Sequence, residues 1–319
     1  MPGRDDRVLD GLPVHWDTFL DTPPAEADRS TARIVVIPVP YDATTSYRGG
    51  AREGPAAIIR ASRHLEDYDL ELDRDISLAG IHTTPAVEPA ASGPEATIAR
   101  VRDAVSRFAS SGKLVALLGG EHTITVGAVQ ALVGIHPDLS VLYLDAHADL
   151  RDEYMGTRWG HASVARRVHE LCPLVEVGVR SVSAEERDYI RDAQVPVCFR
   201  LSSTGEPFDP SENVLKSLSP TVYVSVDLDV FDPSAVAAVG TPEPGGLTWD
   251  EVTRLLRTVG ERRNIVGFDI TELSPGEGPE AGVFTAAKLA YKLMGYATSP
   301  IGRRADARVR PYRSNERPC

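Results

Sequence analysis

Residues 145–149 carry a carboxylate or an imidazole at every second position: Asp145, His147 and Asp149. They follow an apolar run, 141–144, that is typical of a β-strand. Because side chains on a strand alternate between its two faces, residues spaced by two project to the same side. Two carboxylates and an imidazole that converge at a strand end form most of a site for a hard or borderline divalent cation. Taken alone, the stretch fits a solvated acidic loop equally well.

Similar side chains follow three other apolar runs: 114–118 with His122 beyond it, 223–226 with Asp227 and Asp229, and 265–268 with Asp269 and Glu272. In open parallel sheets, ligands bind beyond the carboxyl ends of the strands. Carboxylates crowded together lose their charge unless cations hold them. A ligand set dominated by oxygen, with some nitrogen, favours a pair of Mn²⁺ ions over thiolate-bound zinc. The predicted ligands are His122, Asp145, His147, Asp149, Asp227 and Asp229.

Short apolar runs alternate with segments of helical apolar spacing, which predicts an α/β fold with a mostly parallel sheet covered on both faces. A single catalytic domain is expected over residues 33–297, because the composition shows no break there. Residues 1–32 form an extension whose apolar island around Phe19 is expected to dock on a neighbouring surface, and residues 298–319 a polar, mobile tail. The predicted strands are 34–39, 114–118, 141–144, 175–179, 195–199, 223–226 and 265–269, and the predicted helices are 54–62, 95–108, 124–133, 162–171, 248–259 and 281–294.

The charge balance and the cysteine content exclude several classes of function. The 319 residues carry 34 Lys and Arg against 46 Asp and Glu, a formal charge of −12, so no nucleic acid and no anionic membrane is expected as a partner. Three scattered cysteines provide neither a disulfide framework nor a Cys-rich zinc site. The chain does not open on a signal-peptide core, and no apolar run approaches about 18 residues, so a cytoplasmic location is expected.

The polar segments occur in a fixed order: GGEH at 119–122, DAHAD at 145–149, SVDLDVFDP at 225–233, GTPEPGGL at 240–247 and FDITELSP at 268–275. Together they resemble the signature motifs of the ureohydrolase family, which includes arginase and agmatinase. The similarity runs from about residue 34 to residue 295. It implies a three-layer α/β/α, arginase-like fold, two Mn²⁺ per subunit and assembly into homo-trimers or hexamers.

The resemblance also implies how the ligands are shared and what the neighbouring residues do. A guanidinium carbon is a poor electrophile, and two cations lower the pKa of a bridging water enough to supply hydroxide as the nucleophile. Glu272 matches the guanidinium-binding glutamate, and Asp149 is placed to relay a proton. His161 matches the histidine that passes protons to the leaving amine, with a helix cap or a surface histidine as the alternative. One ion would be held by His122, Asp145, Asp149 and Asp227, and the other by Asp145, His147, Asp227 and Asp229.

Two loops, 41–47 and 150–154, resemble those of agmatinases, which predicts hydrolysis of agmatine to putrescine and urea, a step of polyamine biosynthesis. Asp152, a candidate substrate-binding residue, and Glu153 favour the terminal ammonium of agmatine, with two solvated surface acids as the alternative. Arg151 and Arg48 could instead receive a carboxylate, so 4-guanidinobutyrate and related guanidino acids stay open as the small guanidino substrate.

One segment departs from the family pattern. Residues 237–239 are Ala-Ala-Val where the family usually has Pro-Gly-Thr, next to the expected guanidinium pocket, so the identity of the substrate is open. Two further hypotheses remain. The chain could be a catalytically silent, metal-binding scaffold, or it could hydrolyse a formimino group, which would release formamide rather than urea.

Overall fold

The computed structural model describes residues 15–23, 27–201 and 208–299. The strands are β1 (Ile34–Val39), β2 (Tyr68–Asp69), β3 (Arg74–Asp75), β4 (Ile81–Thr83), β5 (Leu114–Gly119), β6 (Leu139–Leu144), β7 (Leu174–Val177), β8 (Val197–Cys198), β9 (Thr221–Asp227) and β10 (Asn264–Thr271). Eight of them form one sheet in the order β4-β1-β5-β10-β9-β6-β7-β8, and each neighbouring pair is parallel. The remaining two, β2 and β3, pair as a separate antiparallel hairpin.

Helices cover both faces of this sheet, and each face has its own hydrophobic core. On one face lie α1 (Gly54–Ser62), α6 (Ser211–Ser217), α7 (Trp249–Arg262) and α8 (Glu280–Thr298). On the other face lie α2 (Pro94–Ala109), α3 (Ile124–Val133), α4 (Val164–His169) and α5 (Ala184–Ala193). The predicted α/β fold with three α/β/α layers is therefore confirmed.

The central strands are apolar on both sides because both sides are covered. In β5, Leu114, Ala116 and Leu118 pack into one core, whereas Val115 and Leu117 pack into the other. A strand of this kind shows a continuous apolar run instead of an alternation of apolar and polar residues. The packing explains why short apolar runs were the signal for strands in this sequence.

The four strands that precede the polar segments are consecutive in the sheet, in the order β5-β10-β9-β6. Their ends are level, because Ile270 is in register with both Leu118 and Val226, and Val226 is in register with Leu144. The residues that follow these positions therefore leave the sheet at one edge. This geometry brings the chemistry of four distant segments together.

Most of the elements that the sequence did not predict are short. Two- and three-residue strands such as β2, β3 and β4 cannot show a periodicity. Helix α5 was also not predicted, although Ser183 and Glu186 form a capping box at its start. No helix was predicted at α6 either. The predicted strand 195–199 is reduced to the two residues of β8.

The apolar island near the N-terminus packs on the domain that follows it. Phe19 is fully buried in the core, and its N–H donates to Thr83 Oγ1 over 2.9 Å. The N–H of Leu20 donates to Ser62 Oγ over 2.8 Å. The island is thus fixed against β4 and α1.

The two predicted terminal segments are described only in part. Residues 1–14 and 24–26 of the extension, and residues 300–319 of the predicted mobile tail, lie outside the described residues. The division of the chain at residues 33 and 297 therefore stays a prediction. Among the described helices, none combines the length and the apolar character that crossing a bilayer requires.

Glu176 interrupts the apolar pattern of β7. Its side chain is completely buried, and neither carboxylate oxygen has a hydrogen-bond partner among the described residues. Burial, reinforced by the charges of Asp145 and Asp149, raises the pKa of Glu176 well above the usual value. A carboxyl group in such a position is more stable in its protonated form.

We predict that Glu176→Gln stabilises the protein near pH 8 by about 1–3 kcal/mol and that this advantage disappears near pH 4. The folded-state pKa of Glu176 is raised, so the group favours folding below its unfolded-state pKa and loses this contribution as the pH rises through the folded-state pKa. Denaturant unfolding at several pH values would measure the difference, with the exposed Glu185→Gln as the control. A stability difference that does not change with pH would contradict the prediction.

Candidate metal centre and active site

Two groups of carboxylate and imidazole side chains lie where β6 and β9 end. In the first, His122 Nδ1 lies 3.1 Å from Asp145 Oδ2 and 3.3 Å from Asp227 Oδ2. In the second, His147 Nδ1 lies 3.0 Å from Asp229 Oδ2 and 3.5 Å from Asp145 Oδ1. The ligand atoms of each group lie within 4.8 Å of one another. Because Asp145 belongs to both groups, the two are side by side.

The chemistry of these groups fits metal binding. Asp145 Oδ2 is buried and accepts no hydrogen bond from any described residue, although His122 Nδ1 is only 3.1 Å away. Atoms that approach one another without hydrogen-bond geometry are arranged like ligands around a common cation. Each group offers one imidazole nitrogen and two carboxylates, donors that suit Mn²⁺ and other borderline divalent ions.

A second layer of polar residues orients the His122 ring. His122 Nε2 lies 2.7 Å from Ser225 Oγ, and this hydroxyl donates to Asp269 Oδ1 over 2.7 Å. Asp269 Oδ2 accepts from Tyr223 OH and from Thr125 Oγ1, each over 2.7 Å. Because the proton of the Ser225 hydroxyl goes to Asp269, the hydroxyl accepts from Nε2–H of His122. The lone pair of Nδ1 then faces the ligand group, as a metal-binding histidine requires.

Burial and repulsion determine the charges of the cluster. Burial and the neighbouring Asp145 carboxylate together raise the pKa of Asp149 and of Asp229. Burial also acts on Asp145, but contacts with His122 and His147 outweigh it and lower the pKa of Asp145. The carboxylate shared by both groups is therefore the one that keeps its charge most readily. Cations would relieve the repulsion felt by the others.

Asp149 lies beside the first group without joining it. Its Oδ2 is 3.8 Å from His122 Nδ1 and accepts a hydrogen bond of 2.8 Å from Tyr143 OH. Its φ of +50° and that of Glu272, +63°, fall in the left-handed region, which non-glycine residues seldom adopt outside turns and functional sites. Of the six predicted ligands, Asp149 alone is absent from the two described groups.

Glu272 and His161 lie next to each other at the same edge of the sheet. Glu272 Oε1 accepts a hydrogen bond of 2.7 Å from the N–H of His122 and lies 3.7 Å from His161 Nδ1. Burial disfavours a charged His161, but Glu272 and Asp149 outweigh this effect and raise the pKa of His161 to about 9. Only 14% of the His161 side chain is exposed, which argues against a surface histidine.

A cavity of about 280 Å³ opens beside the ligand groups. Its lining joins residues of the predicted metal centre to residues from the loop 150–154 and from the start of α5. The residues most relevant to function are His147, Asp149, Asp227, His161, Arg151, Tyr154 and Glu186.

Arg151 and Glu186 carry opposite charges in this cavity. Arg151 Nε is 4.0 Å from Glu186 Oε2, and its guanidinium lies 4.8 Å from the centre of the Tyr154 ring. Glu186 accepts hydrogen bonds from Leu150 N (3.0 Å), Ser183 N (2.8 Å) and Ser183 Oγ (2.6 Å). Glu186 is not among the site residues predicted from the sequence, although its three-residue spacing from Ser183 is the signal of a capping box.

The structure does not bring Asp152 into the cavity. Its carboxylate pairs with Arg158 over 2.8 Å and with Arg167 over 2.6 Å. Hydrogen bonds from these two arginines lower the pKa of Asp152 to about 2. The buried Arg167 needs a carboxylate partner, and Asp152 provides it. The predicted contact between Asp152 and the substrate is therefore not supported by this geometry.

The segment 237–239, which departs from the family pattern, runs beside the turn that presents Glu272. The N–H of Ser274 donates to the Ala238 carbonyl over 2.8 Å, and Val239 forms a bridge with Leu273. The segment therefore supports the backbone of the turn that contains Glu272. Among the described residues that line the cavity, none comes from 237–239.

Comparison with known proteins identifies the family of the chain. Residues 32–295 match the arginase family. The N(1)-aminopropylagmatine ureohydrolase of Synechocystis is 40% identical over 273 residues, which cover 83% of this chain and 89% of that protein. The agmatine ureohydrolase structure from Thermoplasma volcanium superposes with a TM-score of 0.80 at 35% identity, over 89% of this chain and 95% of that one.

A third relative differs in its named substrate. The proclavaminate amidino hydrolase structure from Streptomyces clavuligerus superposes with a TM-score of 0.79 at 30% identity, over 89% of this chain and 97% of that one. The match to the family spans nearly all of the described chain, so the resemblance inferred from the sequence motifs is confirmed. The chain belongs to the arginase family.

Proposed function

We propose that the chain hydrolyses a guanidino compound with an amine tail to urea and a polyamine. The observation that carries this proposal is the pair of ligand groups that share Asp145, in a chain of the arginase family. The two candidate substrates are agmatine and N1-aminopropylagmatine, the compound that appears in the name of the Synechocystis relative. Cleavage of the same C–N bond yields putrescine from the first and spermidine from the second.

Two Mn²⁺ ions are the proposed cofactors, held by the six ligands inferred from the sequence. The imidazole–carboxylate composition of both groups supports this assignment. When bound, such a pair of cations acidifies a water molecule and supplies a nucleophile at neutral pH.

The protein groups around the centre have distinct proposed roles. Glu272, fixed by the N–H of His122, would orient the planar guanidinium through charge-assisted hydrogen bonds. Asp149, held by the hydroxyl of Tyr143, would accept the proton that the nucleophile gives up. With a pKa of about 9, His161 carries a proton at neutral pH and would donate it to the departing nitrogen.

A guanidino acid such as 4-guanidinobutyrate is the second candidate substrate. Arg151 lines the cavity, and its guanidinium could bind a carboxylate in a bidentate contact. Arg48 is less available, because it pairs with Glu277 over 2.8 Å. One structural relative is named for proclavaminate, an acid. Assembly into homo-trimers or hexamers and a cytoplasmic location stay predictions.

We predict that kcat/KM for agmatine or N1-aminopropylagmatine exceeds that for 4-guanidinobutyrate by at least about tenfold, since a pocket built for one tail charge disfavours the other. Urea release should require added Mn²⁺ and stop on chelation. A preference for 4-guanidinobutyrate would establish the second candidate. Formamide from a formimino compound would indicate a different C–N hydrolysis, and no product from any compound would favour the scaffold.

We predict that Asp145→Asn loses manganese from both groups, whereas Asp229→Asn loses it mainly from the second. The reason is that Asp145 belongs to both groups and Asp229 to one. Metal analysis after dialysis against a fixed concentration of free Mn²⁺ would measure the content. Asp152→Asn, which lies outside both groups, should keep the full content, and equal manganese in all three variants would contradict the ligand assignment.

We predict that His161→Ala lowers kcat by about 100-fold or more, with a smaller change in KM, because a general acid acts in the chemical step. Steady-state urea release near pH 7 would test this. The exposed His64→Ala is the matched control. A change confined to KM would show that His161 only binds the substrate.

A further inference from the structure

The loop between β1 and α1 holds His161 at two points. The N–H of His161 donates to Thr44 Oγ1 over 3.2 Å. At the ring, the Ser46 N–H donates a hydrogen bond of 3.1 Å to Nε2. Ser46 Oγ also lies 3.1 Å from this nitrogen. One end of the histidine is thus fixed through its backbone and the other through its imidazole, both by a loop that carries no predicted ligand.

Ser46 suits a histidine that gains and loses a proton. When Nε2 is unprotonated, it can accept from the Ser46 N–H. When Nε2 is protonated, it can donate to Ser46 Oγ. Both partners lie 3.1 Å from Nε2, so Ser46 contacts this nitrogen through both its backbone and its hydroxyl. The opposite ring nitrogen, Nδ1, faces Glu272.

The loop is anchored on the fully buried Glu121. Its carboxylate accepts from the Thr44 N–H over 2.7 Å, from the Thr44 hydroxyl, and from Thr123 Oγ1 over 2.5 Å. The backbone N–H of Glu121 donates to the Tyr41 carbonyl over 2.6 Å. A Cβ at Gly120 would collide with the Tyr41 backbone, so the loop lies directly on the turn after β5.

We propose that Thr44 is a positioning residue for His161, acting as a bridge between Glu121 and the histidine backbone. The Thr44 hydroxyl has one proton, which it donates to Glu121, and it accepts from the His161 N–H with a lone pair. A buried carboxylate needs such donors, so the Glu121 contact fixes where the acceptor for His161 stands. This inference rests on the proposed role of His161 in urea release.

Loss of the bridge should act on the chemical step. Thr44→Val keeps the shape of the side chain but removes both hydrogen bonds, which lets His161 move away from the leaving nitrogen. Misplacement of a reacting group by about 1 Å can cost up to about 100-fold in rate. The residues that hold the metal ions and the guanidinium are untouched, so binding of both should persist.

We expect Thr44→Val to lower kcat for urea release by about tenfold or more, with KM changed less than about threefold and with full manganese content. Thr44→Ser, which keeps the hydroxyl, should restore most of the rate. Thr45→Val, one residue along the same loop, is the matched control and should behave like the wild type. Holoenzyme loaded with Mn²⁺ would be used throughout, with agmatine or N1-aminopropylagmatine as the substrate, whichever the wild type hydrolyses faster.

A double-mutant cycle with His161→Ala separates positioning from a general structural role. If Thr44 acts through His161, then Thr44→Val causes no further loss of kcat in the His161→Ala background. Equal fractional losses in both backgrounds, or a Thr44→Ser variant as slow as Thr44→Val, would overturn the inference. A wild-type enzyme that releases no urea would instead overturn the proposed function itself.

Discussion

The structure depends on relief of the repulsion among buried carboxylates at one edge of the sheet. Asp145, Asp227 and Asp229 are each at most 3% exposed, and buried like charges raise one another's pKa. The sheet enforces their proximity, because Leu144 and Val226 are paired in register and packed on both faces, so the acids beyond them cannot separate unless the strands unpair. Two imidazoles offset only part of this charge. Divalent cations are the counter-charge that such an arrangement requires.

One short hydrogen bond links the candidate metal ligands to Glu272, the residue proposed to bind the guanidinium. The N–H of His122 donates to Glu272, so the turn after β5 and the turn after β10 fix each other. The same turn after β5 contains Glu121, which holds the loop over His161 through Thr44. Two adjacent residues of this turn therefore contact different parts of the site. His122 belongs to the first ligand group, and Glu121 binds the loop through Thr44. A change in this turn would therefore disturb both the candidate metal ligands and His161, the proposed proton donor.

The sequence was sufficient to predict the central strands of the sheet and the residues that follow them, because continuous apolar strands make their own boundaries visible and parallel pairing brings their ends together. It was insufficient where a charge had two possible partners. Asp152 looked available to a substrate, but the buried Arg167 takes it up, and a distant pairing of this kind has no periodic signal. Glu186 was missed for a related reason, because its capping role on α5 hides the fact that the same carboxylate borders the cavity.

In the proposed reaction, an ammonium tail of the substrate would compete with the guanidinium of Arg151, which already lies in the cavity. Arg151 Nε lies 4.0 Å from Glu186, and two unit charges at about that distance interact by about 4 kcal/mol when partly shielded from water. An ammonium tail can approach Glu186 only if Arg151 turns away, and the Tyr154 ring, 4.8 Å from the guanidinium, offers a surface on which it can rest. A carboxylate tail that binds Arg151 would instead be repelled by the like charge of Glu186. Among the described residues, the hydrogen bonds to the Glu186 carboxylate come from Leu150 and Ser183, so Glu186 would stay in place with either tail. The movement of Arg151 would then decide which tail charge the cavity accepts.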